Sequence, residues 1–188
     1  MIEIRWHGRG GQGAKTAALL LADAALSAGK YVQAFPEYGP ERMGAPVQSF
    51  NRIDEQPILM HCPVKSPKVV VVLDPTLMAS VNVTAGLGPD GMLIINTGLD
   101  AVEIKKSVKF DGKIFTVDAS KISEETIGKN IPNTPMLAAL VKITGVLDFK
   151  SMMEDTEKKL AKKFAHRPEV IEGNIQSMKR AAEEVKSA

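Results

Sequence analysis

The N-terminal run IEIRWHGRGGQGAKT, Ile2 to Thr16, limits the possible folds more than any other stretch. Ile2, Ile4 and Trp6 alternate with Glu3, Arg5 and His7, the period-two pattern of a strand whose two faces differ. Glycines at 8, 10, 11 and 13 follow at once, and from Ala14 to Ala28 the chain is rich in alanine and leucine until Gly29 stops it. A strand that turns through glycines straight into a helix is the opening unit of an α/β sheet protein.

The remaining pattern extends that unit. Tyr31 to Phe35 reads as a short strand, and Pro36 to Pro46 carries too many Pro and Gly for a regular element. Val47 to Ile53 alternates again, with Gln56 to Cys62 expected as its hairpin partner across Asp54-Glu55. The unbroken run Val69 to Leu73 predicts a strand covered on both faces, ended by Asp74-Pro75 as a helix cap. Met92 to Ile95 and Ile114 to Val117 are two further buried strands, ending in Asn96 and Asp118. Beyond residue 130 three helical segments are expected. The first is capped by Asn133-Thr134-Pro135 and closed by Gly145, and the second opens on a capping box from Ser151 to Glu154. The third starts near Pro168, with Ile171, Ile175, Met178, Ala182 and Val185 on one stripe. The expected fold is a three-layer α/β/α Rossmann-like domain with a mostly parallel sheet and a C-terminal helical segment. Residues 1–188 are read as one unit, a core over 1–130 with a helical extension over 131–188.

Bulk properties exclude several classes of function. At 188 residues the chain can bury roughly 70% of its unfolded surface around one core. The 24 Lys and Arg nearly cancel the 22 Asp and Glu, so a nucleic-acid partner is not indicated. One cysteine, Cys62, excludes an internal disulfide and any Cys-ligated iron–sulfur or zinc site built by this chain alone. No apolar run approaches the roughly 20 residues a bilayer requires, and a cytoplasmic location with no membrane partner is expected. No metal site is expected.

The glycine loop satisfies half of a dinucleotide fingerprint, since it follows a strand and opens a helix whose N–H groups can hold an anion. The other half is weak: the nearest acid for a ribose is Glu37, beyond Pro36 and inside a loop. A P-loop is missed by one residue, because Ala14 intrudes before Lys15-Thr16 and rotates the lysine by about 100°. Gly8, Arg9, Gly10, Gly11, Gln12, Gly13 and Lys15 are therefore candidate ligand contacts, with close packing against a neighbour as the competing role. Asp74, Asn96 and Asp118 fall at the carboxyl edge of a parallel sheet, but each also suits a cap. His7 reads as a hydrogen-bonded, partly buried histidine and His166 as a surface residue. His61 and Cys62 are strand neighbours that point apart. No complete catalytic set emerges. The loop Glu37 to Pro46 mixes residue types enriched at protein interfaces, and Tyr38, Glu41, Arg42 and Met43 are expected to meet a partner.

Two long motifs in order, EIRWHGRGGQGAKTAA and AFPEYGPERMGAPVQSFNRID, resemble the gamma subunit of pyruvate:ferredoxin oxidoreductase and its 2-oxoacid relatives, and the likeness extends through VVVVLDPTL and INT at Ile95 to Thr97. The resemblance implies a non-catalytic gamma subunit beside alpha, beta and delta-type subunits. The other subunits would hold thiamine diphosphate, Mg and [4Fe–4S] clusters. The complex would use coenzyme A (CoA) as co-substrate and deliver electrons to ferredoxin. The wording of the second motif is closest to the pyruvate branch; 2-oxoglutarate and branched-chain complexes are the alternatives within the family. Lys15 departs from the uncharged residue the family pattern leads one to expect, and suits an anion such as the CoA phosphates. A free-standing NAD(P)-binding oxidoreductase and a stand-alone CoA-binding module are the alternatives outside that role.

Overall fold

The alternating N-terminal segment is strand β1 (Ile2–Arg9), and Ile4 and Trp6 on one of its faces are fully buried. The glycine turn leads into α1 (Ala14–Ser27), which presses Ala14, Ala17, Ala18, Leu21 and Ala25 into the core. Alanine side chains let the helix axis approach the sheet closely. Leu21, fully buried, adds about 2 kcal/mol of apolar burial. The rest is seen in a computed structural model that describes residues 1–37 and 43–188. It continues with β2 (Tyr31–Pro36), β3 (Pro46–Asp54), β4 (Val69–Val72), a 3-10 turn over Pro75–Ala79 and β5 (Met92–Asn96). There follow α2 (Ala101–Ser107), β6 (Lys113–Val117), α3 (Ala119–Ile127), α4 (Asn133–Thr144), α5 (Phe149–Lys163), α6 (Pro168–Glu184) and β7 (Lys186–Ser187).

The strands form one sheet in the order β2-β3-β1-β4-β5-β6-β7. β1, β4, β5 and β6 pair in parallel, while β3 is antiparallel to both β1 and β2, and β7 is antiparallel to β6. Because β3 reverses twice, β2 runs in the same direction as the four central strands, and the sheet is mostly parallel as expected.

The valines of β4 show why that strand reads as an unbroken apolar run. Val69 and Val71 enter a core with α1, α3, α4, α5 and α6, whereas Val70 and Val72 enter a second core with Ala101, Ile104 and Phe110. Strand periodicity sends neighbours to opposite faces, so a strand covered on both sides needs apolar residues at every position. Helices thus lie on both faces, five on one and α2 on the other. None is long and apolar enough to cross a membrane among the described residues.

Several local expectations need correction. Residues 56–62 form no strand. Both edges of β3 are taken by β1 and β2, and Pro57 and Pro63 cannot donate to a ladder. The cap of α5 is Asp148, whose carboxylate accepts from the Ser151 N–H at 2.8 Å, so the helix opens before the anticipated capping box. That box occurs instead at α2, between Asp100 and Glu103. The two short helices α2 and α3 and the two-residue β7 carry too little periodicity to stand out in the sequence.

One polar link ties three elements across the larger core. The Trp6 indole N–H donates to Asn51 Oδ1 at 2.8 Å, and Asn51 Nδ2 donates to the Ala18 carbonyl at 2.8 Å. Trp6 and Asn51 are both fully buried, so each donor would be orphaned without its acceptor. Replacing Asn51→Ala is expected to lower stability by about 2–4 kcal/mol, read as a lower urea midpoint at an unchanged slope.

Candidate functional site

The carboxyl ends of β1, β4, β5 and β6 share one edge of the sheet, the edge at which open α/β sheets bind ligands. β2 points the same way, so the segment from β2 to β3 returns to that edge too. There the two sequence motifs pair directly: Gly10 N–H donates to the Ala45 carbonyl at 2.9 Å, and Gly44 N–H donates to the Gly10 carbonyl at 3.1 Å. Gly10 and Met43 form a parallel bridge, and Met43 is 87% exposed. Tyr38, Glu41 and Arg42 lie outside the described residues.

Asp74, directly after β4, organises the turn. Its Oδ2 accepts from Arg9 Nε at 3.0 Å and from Gln12 Nε2 at 2.9 Å, while Oδ1 accepts from the Thr76 N–H at 2.9 Å and the Thr76 hydroxyl at 2.6 Å. Partial burial would raise its pKa, but the hydrogen bonds from Thr76 and Gln12 and the charge of Arg9 outweigh that and hold the carboxyl below its ordinary value. Arg9 is engaged through all three of its side-chain nitrogens: besides Nε, Nη1 donates to the Gly44 carbonyl at 3.0 Å and Nη2 to Thr76 Oγ1 at 2.9 Å. Gln12 folds inward, and its Oε1 accepts from the Arg9 N–H at 2.7 Å. Arg9 and Gln12 therefore act first as staples of the loop.

The glycines serve geometry. Gly13 is the N-cap of α1 at φ 83°, left-handed backbone that side chains rarely adopt, and a Cβ there would stand 2.7 Å from Asn133 Nδ2. Gly11 lies under Met43, and Gly8 packs against Leu73 and Ala14. With no side-chain cap, the first turn of α1 leaves its N–H groups open, beside the exposed Lys15 and Thr16. A cleft of about 440 Å³ opens here, with Gly10, Gly13, Lys15 and Thr16 on one side and Pro36, Glu37, Met43 and Gln48 on the other. Most of the predicted contacts thus share one wall. Asn133, read from the sequence only as a cap, lies beneath the loop; its contact with Gly13 joins segments far apart in the chain and leaves no local signal.

Other polar candidates are structural. Asn96 bridges the Leu73 carbonyl and Ser120, and Asp118 caps α3 by accepting from the Lys121 N–H at 3.1 Å. His7 is buried and accepts from Arg5 Nε at 3.0 Å; burial, and then the adjacent guanidinium, push it down to about 4, so it is neutral at physiological pH. His61, Cys62 and His166 are exposed and far from one another in role, with Cys62 offering its carbonyl to Arg52. A dinucleotide site also lacks its framework. β3 separates β2 from β1, which moves Glu37 about 10 Å, two strand spacings, from the glycine turn.

A family model described as pyruvate ferredoxin/flavodoxin oxidoreductase matches residues 3–184. The chain is 50% identical over 184 residues to pyruvate synthase subunit PorC of Thermotoga maritima, covering 98% of this chain and 94% of that one. It is 53% identical over 153 residues to the pyruvate/ketoisovalerate oxidoreductases common subunit gamma of Pyrococcus abyssi, covering 81% and 83% of the two chains. The crystal structure of the Thermotoga maritima pyruvate oxidoreductase subunit PORC superposes with a TM-score of 0.86 at 49% identity, over 100% of this chain and 98% of that chain.

Two substitutions test the architecture of the loop. Gly13→Ala should cost about 1–3 kcal/mol or more, because neither the backbone angle nor Asn133 yields, and a thermal melt reads it. Asp74→Asn should cost about 1–3 kcal/mol at neutral pH. The wild-type advantage is full above the ordinary carboxylate pKa of 3.8 and disappears as pH falls through the depressed folded value, so the two proteins' denaturation midpoints should converge in acid.

Proposed function

Because the chain belongs to the pyruvate ferredoxin/flavodoxin oxidoreductase family, we propose that it is the non-catalytic gamma subunit of a multisubunit pyruvate:ferredoxin oxidoreductase. The complex converts pyruvate and CoA to acetyl-CoA, CO2 and a proton, and the two electrons released pass to ferredoxin. Thiamine diphosphate, Mg and the [4Fe–4S] clusters belong to the other subunits, of alpha, beta and delta type. A chain with one cysteine supplies no cluster. Thiamine diphosphate provides the carbanion chemistry of decarboxylation, and what this chain contributes is a positioned surface. Residues 1–188 act as one gamma-type unit with a cytoplasmic location.

The observation that carries this reading is family membership over residues 3–184, joined to the pairing of the two motifs at one sheet edge. The exposed Met43, together with Tyr38, Glu41 and Arg42, meets the partner subunits. The open first turn of α1, with Gly8 to Gly13 and Lys15, faces CoA: peptide N–H groups and a cation suit the phosphates of that cosubstrate. Arg9 and Gln12 hold that surface in shape.

The Pyrococcus abyssi relative, at similar identity, is named as a subunit common to pyruvate and ketoisovalerate oxidoreductases. This favours a second, compatible reading in which the choice of 2-oxoacid resides on the partner chains. The test is reconstitution. The isolated chain should reduce no viologen dye with pyruvate and CoA, and adding it to the other subunits should restore CoA-dependent dye reduction. Exchanging it for another gamma subunit should leave the 2-oxoacid preference unchanged. Activity of the chain alone, or full activity of the complex without it, would defeat the proposal.

A further inference from the structure

The sheet ends differently on its two sides. At one side β7 is only Lys186 and Ser187, both exposed; at the other, the six residues of β2 close the strand order. The Glu37 N–H donates to the Gln48 carbonyl at 2.9 Å, so the odd-numbered residues of β2 bond to β3. Val32, Ala34 and Pro36 consequently turn their backbone groups away from the sheet, and Pro36 has no N–H to offer. The N–H groups of Val32 and Ala34 stand on the open edge together with the carbonyls of the same residues. An edge strand of this length is a template for another strand unless charge, a bulge or a covering segment blocks it.

The side chains along this edge are apolar. Nine large apolar side chains are exposed among the described residues, and five of them, Leu19, Leu26, Tyr31, Leu59 and Met60, border β2. Leu19 shares a small groove with Ala34, Phe35 and Pro36. Leu26 lies two turns farther along the same stripe of α1, about 10 Å away. On the opposite face the Gln33 side-chain amide donates to the Met60 carbonyl at 2.8 Å, which lays Leu59 and Met60 alongside the strand. An apolar patch that follows both sides of an open strand marks a protein interface.

The strand is complementary to itself. Lys30, paired within the chain with Glu55, precedes β2 and Glu37 follows it. An antiparallel copy brings each lysine toward the other copy's Glu37, whereas a parallel copy would set like charges side by side. We propose that β2 pairs with β2 of a second copy of this chain across a two-fold axis at Gln33, making one sheet continuous through both copies. In that register Val32 bonds with Ala34 of the second copy, and every free donor of both strands gains an acceptor. Tyr31 falls opposite Phe35 of the second copy, an aromatic cross-strand pair that the axis repeats. On the other face α1 starts at the carboxyl edge, where β2 ends, so the axis sets Leu19 against Leu26 of the second copy. The pairing is a property of the chain alone and stands whether or not it serves a pyruvate-oxidising complex.

The test is the oligomeric state of the full chain. Sedimentation velocity should give a dimer of twice 20.3 kDa with a micromolar dissociation constant. Ala34→Pro removes a donor that faces away from β3, as Pro36 already does on the same edge, and should weaken dimerisation about tenfold or more. Charge exchange at two exposed helix positions separates lost pairing from lost folding. Leu19→Lys/Leu26→Lys and Leu19→Glu/Leu26→Glu should each be monomeric with unchanged circular dichroism. Mixing the two should restore a dimer, because the axis sets the lysines of one copy against the glutamates of the other. A wild-type chain that is monomeric at about 1 mM overturns the pairing, as does a dimer that both charged variants keep, or a mixture that stays monomeric. If the wild-type chain is monomeric and the same variants detach it from other subunits, the edge receives a different chain and self-pairing is refuted.

Discussion

One carboxylate, that of Asp74, fixes the relation between the end of β4 and everything that crosses the sheet edge. It takes four hydrogen bonds from three residues, Arg9, Gln12 and Thr76, and through Arg9 it reaches the Gly44 carbonyl of the second motif. A turn with four glycines has high conformational entropy when unfolded, and glycine contributes no side-chain contacts to offset it. Charge-assisted hydrogen bonds to a rigid strand end supply that missing order. The loop is thereby kept open on its outer side and fixed on its inner side, the condition for presenting backbone donors to a ligand without first collapsing onto them.

The two cores divide the labour around that edge. Five helices press on one face, with α4 buried from Asn133 to Val141, and that packing positions Asn133 below the glycine turn. The thinner cover on the other face leaves Arg5 and His7 beside one another in a buried strip. There His7 stays neutral because a second cation next to Arg5 would be too costly to bury. Polar groups inside the sheet are thus satisfied by the chain itself, while at the carboxyl edge the first turn of α1 has no side-chain cap.

Much of this was legible in the sequence, and the exceptions share one physical cause. The strand, glycine turn and first helix could be read from residues 2–28 because period, turn chemistry and helix propensity all change at neighbouring positions. The β4 run announced its double burial. What escaped depends on contacts between distant segments: the antiparallel insertion of β3, the pairing of β7 with β6 and the Asn133–Gly13 contact. Residues 56–62 look alternating enough to form a strand, yet neither edge of β3 was free to receive one. Arg9 shows the same limit at the site. Its type and place suggested a ligand contact, and only the position of Asp74, Thr76 and Gly44 reveals that each of its side-chain nitrogens is already in use.

The insertion of β3 between β1 and β2 also bears on what this scaffold can become. A glycine turn leading into a helix is often a few substitutions away from nucleotide affinity, since the missing ribose acid can be added at the next strand end. Here that strand end is occupied by the start of β3, and its backbone is paired to the glycine turn itself. Acquiring a dinucleotide in that way would require removing a strand from the middle of the sheet. The topology thus closes this edge to a dinucleotide site of the Rossmann kind, whatever the surface residues around it become.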